Sequence, residues 1–351
     1  MDDKKVYSNI DLLKFFFSFF IIMIHTSLFA DVNTTVDYIF VNIITRIAVP
    51  FFFLSSGFFF AKSFEYNKQK KVAGTKTNFK RLRKIEWRII LLYAVWSFIY
   101  LFIALPVNYG GWSIKNIVDY FITSVVRCSY YHLWYVYALV FAYPILYFLM
   151  RHLNPKIVAV ICISLYVAGV FVNSYSYLLP LQGITSLFER ISEVTGYYLV
   201  SNILFRALPL MWVGIYVARH RKKPNKFICV IGSVVCFGLY FAENILLNNF
   251  TNGKAAGHYL IFSAFCVYFV FLCAVQFKKS VNRENGIRLR KMSTVIYCLH
   301  VMIQLLLSNY LIPSINSFVL FLLTSIITAG FSVAIVLLSE KRKLKLLKYL
   351  Y

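Results

Sequence analysis

Residues 11–25, DLLKFFFSFFIIMIH, form an almost solid apolar run with ionisable residues set into it. A run of about 20 such residues is long enough to cross the hydrocarbon core of a bilayer as a helix. The rest of the chain has the same character, because 60% of its 351 residues are hydrophobic and 19% are aromatic. A soluble domain needs a largely polar surface, so this composition favours a membrane protein.

Ten apolar runs predict an all-α integral membrane protein, with a single membrane domain over residues 1–351. Solid runs do not fit a transmembrane barrel, which needs alternating apolar and polar residues. The predicted spans cover residues 10–30, 37–61, 88–107, 131–150, 156–173, 198–218, 226–243, 257–277, 293–312 and 315–338. Two longer connections, 108–130 and 174–197, mix apolar and charged residues, and we expect interfacial helices in them.

The basic residues predict the orientation, because cytoplasmic loops carry an excess of Lys and Arg. With ten helices, 30 of the 37 Lys and Arg residues fall on the side that holds both termini. This side includes a basic loop, 62–88, and a basic tail, 339–351. We therefore expect both termini in the cytoplasm.

The net charge of +24 does not indicate nucleic acid as a partner, because the basic residues lie in clusters between apolar spans. Two interpretations of loop 62–88 stay open. It could face anionic lipid of the bilayer, or it could be a landing site for an anionic nucleotide ligand.

Ionisable residues inside the spans are candidates for function, because a charge near the bilayer centre costs at least ~2.5–3.5 kcal/mol. Lys14 and His25 are eleven residues apart, so they project from one helix face and lie about 16 Å apart along the axis. Lys14 could instead extend to the inner surface, with Asp11 as a neutralising neighbour. His25 suits a general base, and its alternative is a structural hydrogen bond between helices.

The second span places Arg46, Pro50 and Gly57 on roughly one face. Arg46 cannot easily lose its proton, so it needs a carboxylate, carbonyl groups or an anionic ligand. Pro50 frees a backbone carbonyl, and Gly57 allows another helix to approach closely. The alternative is a structural arginine paired within the bundle.

Three further segments carry polar residues. The segment that starts at His132 continues with Trp134 and Tyr135, which are also typical of an interfacial anchor. The sixth span holds Asn202 and Arg206. The ninth span carries a polar stripe that lines either a cavity or a hydrogen-bonded helix seam. The stripe consists of Ser293, Tyr297, His300 and Gln304.

Together these segments resemble the membrane-bound acyltransferase-3 family over nearly the whole chain. The resemblance rests first on Asp11-x-x-Lys14 followed by His25. It rests further on RIAVPFFFLSSG at 46–57, HLWY at 132–135, RALPL at 206–210 and the spacing of Ser293, Tyr297 and His300. Lys14 stands where the family usually has an arginine, which is a more rigid cation.

The resemblance implies transfer of an acyl group, often acetyl, from cytoplasmic acyl-CoA to an extracytoplasmic cell-envelope glycan or related acceptor. It implies a multi-pass protein of the bacterial plasma membrane, with a central cavity open to both sides. His25 would be the catalytic base or acyl relay, with Asp11 and Arg46 in the catalytic group. Acyl-CoA would be a substrate, and we expect no metal and no permanently bound cofactor. The expected substrate- and donor-binding residues are Lys14, His132, Trp134, Arg206, Tyr297 and His300.

A branch of the same superfamily suggests a different function. The first 60 residues and the segment at 132–135 also resemble the membrane domain of membrane-bound serine racemases of glycopeptide resistance. That likeness implies a module that transports a small amino acid such as serine, and binding of acyl-CoA distinguishes the two functions. A purely structural assembly subunit is a third hypothesis. The oligomeric state, including a homo-oligomer, stays open.

Overall fold

The computed structural model describes residues 7–178, 190, 198–220, 224–253, 259–277 and 281–351. Within these ranges the regular structure is helical and contains no strand, which confirms the all-α prediction. The main helices are α1 (Ser8–Thr26), α2 (Thr34–Ala61), α3 (Lys76–Asn108), α4 (Ile114–Val126), α5 (Trp134–His152), α6 (Pro155–Asn173), α7 (Ser201–Arg219), α8 (Lys226–Phe250), α9 (Ile261–Gln276), α10 (Arg283–Leu311) and α11 (Ser317–Ser339).

The ten predicted spans all coincide with helices. In the described part of the chain, nine helical stretches are long and apolar enough to cross a membrane, one of them running from Ile114 to His152. The remaining predicted span corresponds to α9, which has 16 residues and is therefore shorter. The protein is thus a multi-pass membrane protein, and the cytoplasmic location of its termini stays a prediction.

The prediction that residues 62–88 form a loop is wrong for its second half. Helix α3 begins at Lys76, where the side chain of Thr75 accepts the N–H of Asn78 and caps the helix. Helix α10 likewise begins at Arg283, ten residues before the predicted span. Hydropathy marks where a helix meets lipid, whereas the cap decides where the helix begins.

One of the two predicted interfacial segments is helical. Within 108–130 the structure has α4, whose side chain at Tyr120 is buried while Ile114 and Val125 are exposed. Of residues 174–197, the structure describes only 174–178 and 190. The predicted helix there, with Glu189 and Glu193, lies outside the described residues.

The chain divides into two compact units. The first comprises Met1–Phe52, Lys223–Phe241 and Phe265–Tyr351, and within it α1 packs against α10 and α11. The second comprises Phe53–Lys222 and Ala242–Ala264, and within it α3 packs on α4 and α5 while α7 packs on α5 and α6. The prediction of a single membrane domain stays a prediction.

Helices α2 and α7 cross at two glycines inside the second unit. A Cβ added to Gly57 would lie 1.9 Å from the carbonyl oxygen of Met211, and one added to Gly214 would lie 2.0 Å from that of Leu54. Neither position has room for a side chain, so glycine is required by backbone contact. This confirms the close approach predicted for Gly57.

Two of the intramembrane arginines lie at irregular turns. A π-helical segment, Ile39–Ile44, and a 3-10 turn, Thr45–Ile47, precede the regular part of α2 and include Arg46. A second π-helical segment, Tyr198–Ala207, includes Arg206. A proline follows each arginine within four residues, and its missing N–H leaves a carbonyl of the preceding turn without its usual helical donor. π-Helical segments of this kind are frequent at functional sites, and a 3-10 turn within a helix often marks a hinge or a strained position.

Candidate functional site

In the first unit, α10 is hydrogen-bonded to the backbone of α1 at two levels. The hydroxyl of Ser293 donates to the carbonyl of Lys14 at 2.9 Å, and the amide of Gln304 donates to the carbonyl of His25 at 2.7 Å. Both pairs are separated by 279 residues in sequence. A constant separation means that the two helices run parallel and in register, so the predicted polar stripe of α10 faces α1.

An ion pair with the same separation joins the helices near their N-terminal ends. Arg290 donates from Nε and Nη2 to the two carboxylate oxygens of Asp11, at 2.7 and 2.8 Å. Asp11 is 1% exposed, so its charge is compensated almost entirely by this bidentate contact. The sequence left open whether Asp11 neutralises Lys14. In the structure Asp11 pairs with Arg290, which the sequence analysis counted among the basic residues of the cytoplasmic side.

His25 and His300 meet farther along the same seam, with their ring centroids 5.1 Å apart. Nδ1 of His300 lies 3.1 Å from the carbonyl oxygen of Ile296 and 2.7 Å from that of Tyr297. Carbonyl oxygens only accept, so Nδ1 carries the hydrogen and Nε2 is left as an acceptor. His300 is completely buried, whereas His25 is partly exposed. The geometry thus places the fixed, buried imidazole of His300 next to the partly exposed ring of His25.

Arg46 completes this cluster. Its Nη2 donates to Oδ1 of Asn42 at 3.3 Å, and its charge lies close enough to act electrostatically on His25. The ring of Tyr297 lies 6.2 Å from that of His300. The structure therefore brings together four of the predicted site residues: His25, Arg46, Tyr297 and His300.

The other two predicted residues of α1 lie away from this cluster. Lys14 and Asp11 are about 16 and 21 Å from His25 along the helix axis, at a rise of 1.5 Å per residue. The ammonium of Lys14 lies 5.8 Å from the ring centroid of Phe52. Asp11 and His25 consequently cannot act on the same reacting atom. The geometry supports Asp11 as a positioning residue for α1 and α10.

In the second unit, Arg206 lies over aromatic rings. Its guanidinium carbon is 4.4 Å from the ring centroid of Tyr259 and 5.5 Å from that of Trp134. The hydroxyl of Tyr259 contacts Ser201 at 3.0 Å. A guanidinium on an aromatic face keeps donors at its edge for an anionic group, and stacking of this kind is the usual role of Arg rather than Lys.

His132 lies in a short 3-10 turn, Tyr131–Leu133, just before α5. It is buried, and its ring packs edge-on against those of Tyr100 and Tyr130, at centroid distances of 4.7 and 5.8 Å. These contacts favour a positioning role at the start of α5. Its predicted part in substrate binding stays a prediction.

Sequence reasoning missed Glu243 and the aromatic partner Tyr259. The carboxylate of Glu243 accepts the N–H groups of Ile261 and Phe262, at 2.8 and 2.9 Å, and the hydroxyl of Tyr175 at 2.7 Å. It therefore caps the N-terminus of α9. A buried carboxylate in an apolar run is costly, and that cost was the available signal for Glu243.

Comparison with known proteins identifies the family. The model of the acyltransferase-3 family, described as an acyltransferase domain, matches residues 7–337. An amino-acid racemase of Enterococcus faecalis is 27% identical over 354 residues, which cover 97% of this chain and 47% of the relative. A second amino-acid racemase of Enterococcus faecalis is 29% identical over 280 residues, covering 78% of this chain and 37% of the relative.

The chain thus spans about half the length of the curated relatives that it matches. No solved structure matches it. The family match extends over both compact units and over every predicted site residue. The chain therefore belongs to the acyltransferase-3 family.

Proposed function

We propose that this protein is a membrane-bound O-acyltransferase of the bacterial plasma membrane. It would move an acyl group, most simply acetyl, from cytoplasmic acyl-CoA to a hydroxyl of an extracytoplasmic cell-envelope glycan or related acceptor. Family membership supports an acyltransferase-type reaction. The observation that carries the proposal is the partly exposed His25, backed by the buried His300 and placed beside Arg46.

In this proposal His25 is the general base. It takes the proton of the acceptor hydroxyl while the hydroxyl oxygen attacks the thioester carbonyl. A C–O bond forms and the C–S bond breaks, and the proton then passes from His25 to the departing thiolate. The products are the acyl ester and free CoA, so no other reactant is needed.

The neighbours of His25 have distinct roles in the same step. Arg46 would stabilise the negative oxygen of the tetrahedral intermediate, because its charge is permanent and lies within the same cluster. His300 would orient the imidazole of His25, since its own ring is fixed by two backbone carbonyls. The Asp11–Arg290 pair and the Ser293 hydrogen bond hold α1 and α10 in the register that makes this meeting possible.

The direct test uses purified protein in nanodiscs with acetyl-labelled CoA, and measures binding, hydrolysis and transfer of label. His25→Ala should lower turnover by ~10²–10⁴-fold, the usual contribution of a positioned acid–base group. His152→Ala is the matched control, because His152 is an exposed histidine at the end of α5. Full transfer activity in the His25→Ala protein would remove the central residue of the proposal.

A second candidate function is transport of a small amino acid such as serine. The observation that favours it is Arg206 on the rings of Trp134 and Tyr259, an arrangement suited to a carboxylate. The curated relatives are named amino-acid racemases, which supports an amino acid as the substrate class. A folded protein that binds no acetyl-CoA but takes up serine into proteoliposomes would favour transport over acyl transfer.

A further inference from the structure

A basic cavity of about 420 Å³ opens at the N-terminal end of α3, within the second unit. Four of its lining side chains are cationic: Lys76, Lys80, Arg83 and Arg151. Gly74 forms part of the wall, and a Cβ at this position would lie 3.3 Å from Nη2 of Arg151. The guanidinium of Arg151 thus lies close over the backbone at Gly74.

Among the described residues, the four cations have no acidic partner within salt-bridge distance. The nearby Arg81, in contrast, binds Glu65 at 2.9 Å. The described residues that line the cavity include no Asp or Glu. The N-terminus of α3 adds the positive end of a helix dipole. The cavity therefore has the charge and the donors for a phosphate group.

The same face of α3 continues into a stripe of exposed apolar residues. Phe79 at the cavity wall is 50% exposed, and farther along the helix Trp87, Phe98 and Phe102 are 66%, 56% and 54% exposed. At 100° per residue, these four positions and Arg83 fall within about 140° of one another around the helix axis. The cations and the exposed aromatic rings therefore share one side of the helix.

The apolar part of this stripe coincides with most of the predicted span 88–107. From Trp87 to Phe102 the helix rises about 22 Å, most of the ~30 Å of the hydrocarbon core. Trp87 lies one turn from Arg83, at the level where tryptophan anchors a helix at the membrane interface. A molecule that binds in the cavity through its phosphate would thus lie next to the exposed apolar face of α3.

We propose that this cavity binds the phosphate of an anionic phospholipid, with the acyl chains lying along the exposed face of α3. The charge of the cavity supplies affinity for any phosphate, and the continuous apolar stripe favours a lipid over a free phosphate compound. The site lies on the side that the distribution of Lys and Arg predicts to be cytoplasmic, where anionic lipids attract basic segments. The proposal is independent of the acyl-transfer site in the first unit.

The test uses the full chain, purified in neutral detergent and titrated with phosphatidylglycerol or with phosphatidylcholine of the same acyl chains. Bound lipid is counted by native mass spectrometry. The cavity variant is Lys80→Gln/Arg83→Gln, and the charge-matched control is Lys68→Gln/Lys341→Gln, at two exposed lysines outside the cavity. Unchanged elution volume and Tm show that both variants are folded.

We expect the wild-type protein and the control to bind phosphatidylglycerol about tenfold more tightly than phosphatidylcholine, and the cavity variant to lose this preference. Equal binding of the two lipids by the wild-type protein, or an unchanged preference in the cavity variant, would overturn the proposal.

A second arm distinguishes the source of the phosphate. CoA and inorganic phosphate are added to lipid-loaded protein at concentrations equal to that of the lipid, and we expect neither to release phosphatidylglycerol. Release by CoA that disappears in the cavity variant would assign the cavity to the phosphates of a nucleotide donor and overturn the lipid assignment.

Discussion

The two compact units hold the polar side chains of their candidate sites in different ways. In the first, Arg290 and the imidazole of His300 are fixed by hydrogen bonds that join or stiffen neighbouring helices. In the second, Arg206 lies on the rings of Trp134 and Tyr259. Hydrogen bonds fix the donor–acceptor distance to within a few tenths of an ångström and favour a narrow range of angles. Proton transfer requires both. Stacking on aromatic faces orients the plane of a guanidinium, which suits recognition of a planar anion such as a carboxylate.

This contrast predicts that the first unit is the more sensitive to loss of a charge partner. Arg290→Met leaves the carboxylate of Asp11 buried without its bidentate donor, so unfolding in detergent should become easier by about 3 kcal/mol. Arg288→Met is the control on the same helix, because Arg288 binds only the more exposed Glu284 and Glu340 and should cost less than ~1 kcal/mol. Equal losses of Tm in the two variants would contradict the special role of the Asp11 pair.

The stability of the second unit should depend more on side-chain volume at the crossing of α2 and α7 than on the loss of a charged group. Gly214→Ala places a methyl group against the carbonyl oxygen of Leu54, so we expect a loss of about 1–3 kcal/mol from overpacking. Gly238→Ala, on the part of α8 that belongs to the first unit, is the control of equal size, since a Cβ at this helical position would meet no other described element within 4 Å. That control should be neutral or slightly stabilising. An unaffected Gly214→Ala protein would mean that α2 and α7 can separate without cost.

The two partly exposed arginines offer the sharpest functional comparison. Arg46→Lys should lower kcat of acyl transfer by about tenfold with little change in KM, because this residue is assigned to the transition state. Arg206→Lys should leave kcat of acyl transfer unchanged and raise the KM of serine uptake into proteoliposomes by a similar factor, because stacking and forked donation to the carboxylate are lost. The kinetic constants of both variants, measured side by side, check the assignment. The opposite pattern would exchange the roles of the two units.

The smallest effect is expected at an exposed contact of the first unit. Between α1 and α2, the carboxylate of Asp31 accepts the backbone N–H of Ser317 at 2.6 Å, and this N–H, together with the Ser317 hydroxyl, holds the pKa of Asp31 below its usual range. A lowered folded-state pKa contributes stability that is present above about pH 4 and is lost as the pH falls through the lowered value. Asp31→Asn should therefore unfold more easily than the wild type at pH 7, and the difference should close in acid. A difference that persists unchanged at low pH would exclude this carboxylate as its source.

Much of the membrane fold was predictable from residue order. Solid apolar runs located ten of the eleven main helices, because lipid accepts only helices whose backbone groups are satisfied internally. The starts of α3 and α10 were not predictable from hydropathy, because Thr75 and Asn282 cap these helices well before the apolar region begins. The irregular turns at Arg46 and Arg206 also escaped prediction, since single-residue changes in helical period leave little trace in a hydropathy pattern.

The sequence predicted which residues belong to the candidate site but not which of them contact one another. The cost of polar groups in a bilayer pointed to His25, Arg46 and the stripe that holds His300. Which helix faces that stripe was left open, and so was the partner of Asp11. Arg290 looked like one more cytoplasmic charge because its contact with Asp11 spans 279 residues.

The sequence by itself determined that this protein lies in a lipid bilayer, how many apolar helices it has and which residue types in those helices need a partner. These properties follow from transfer free energies, which each segment carries locally. Only the tertiary structure decided that α1 and α10 run parallel and in register, so that His25 meets His300 while Asp11 meets Arg290. The reason is that such contacts depend on packing between segments far apart in the chain, and the period of one helix cannot specify its neighbour.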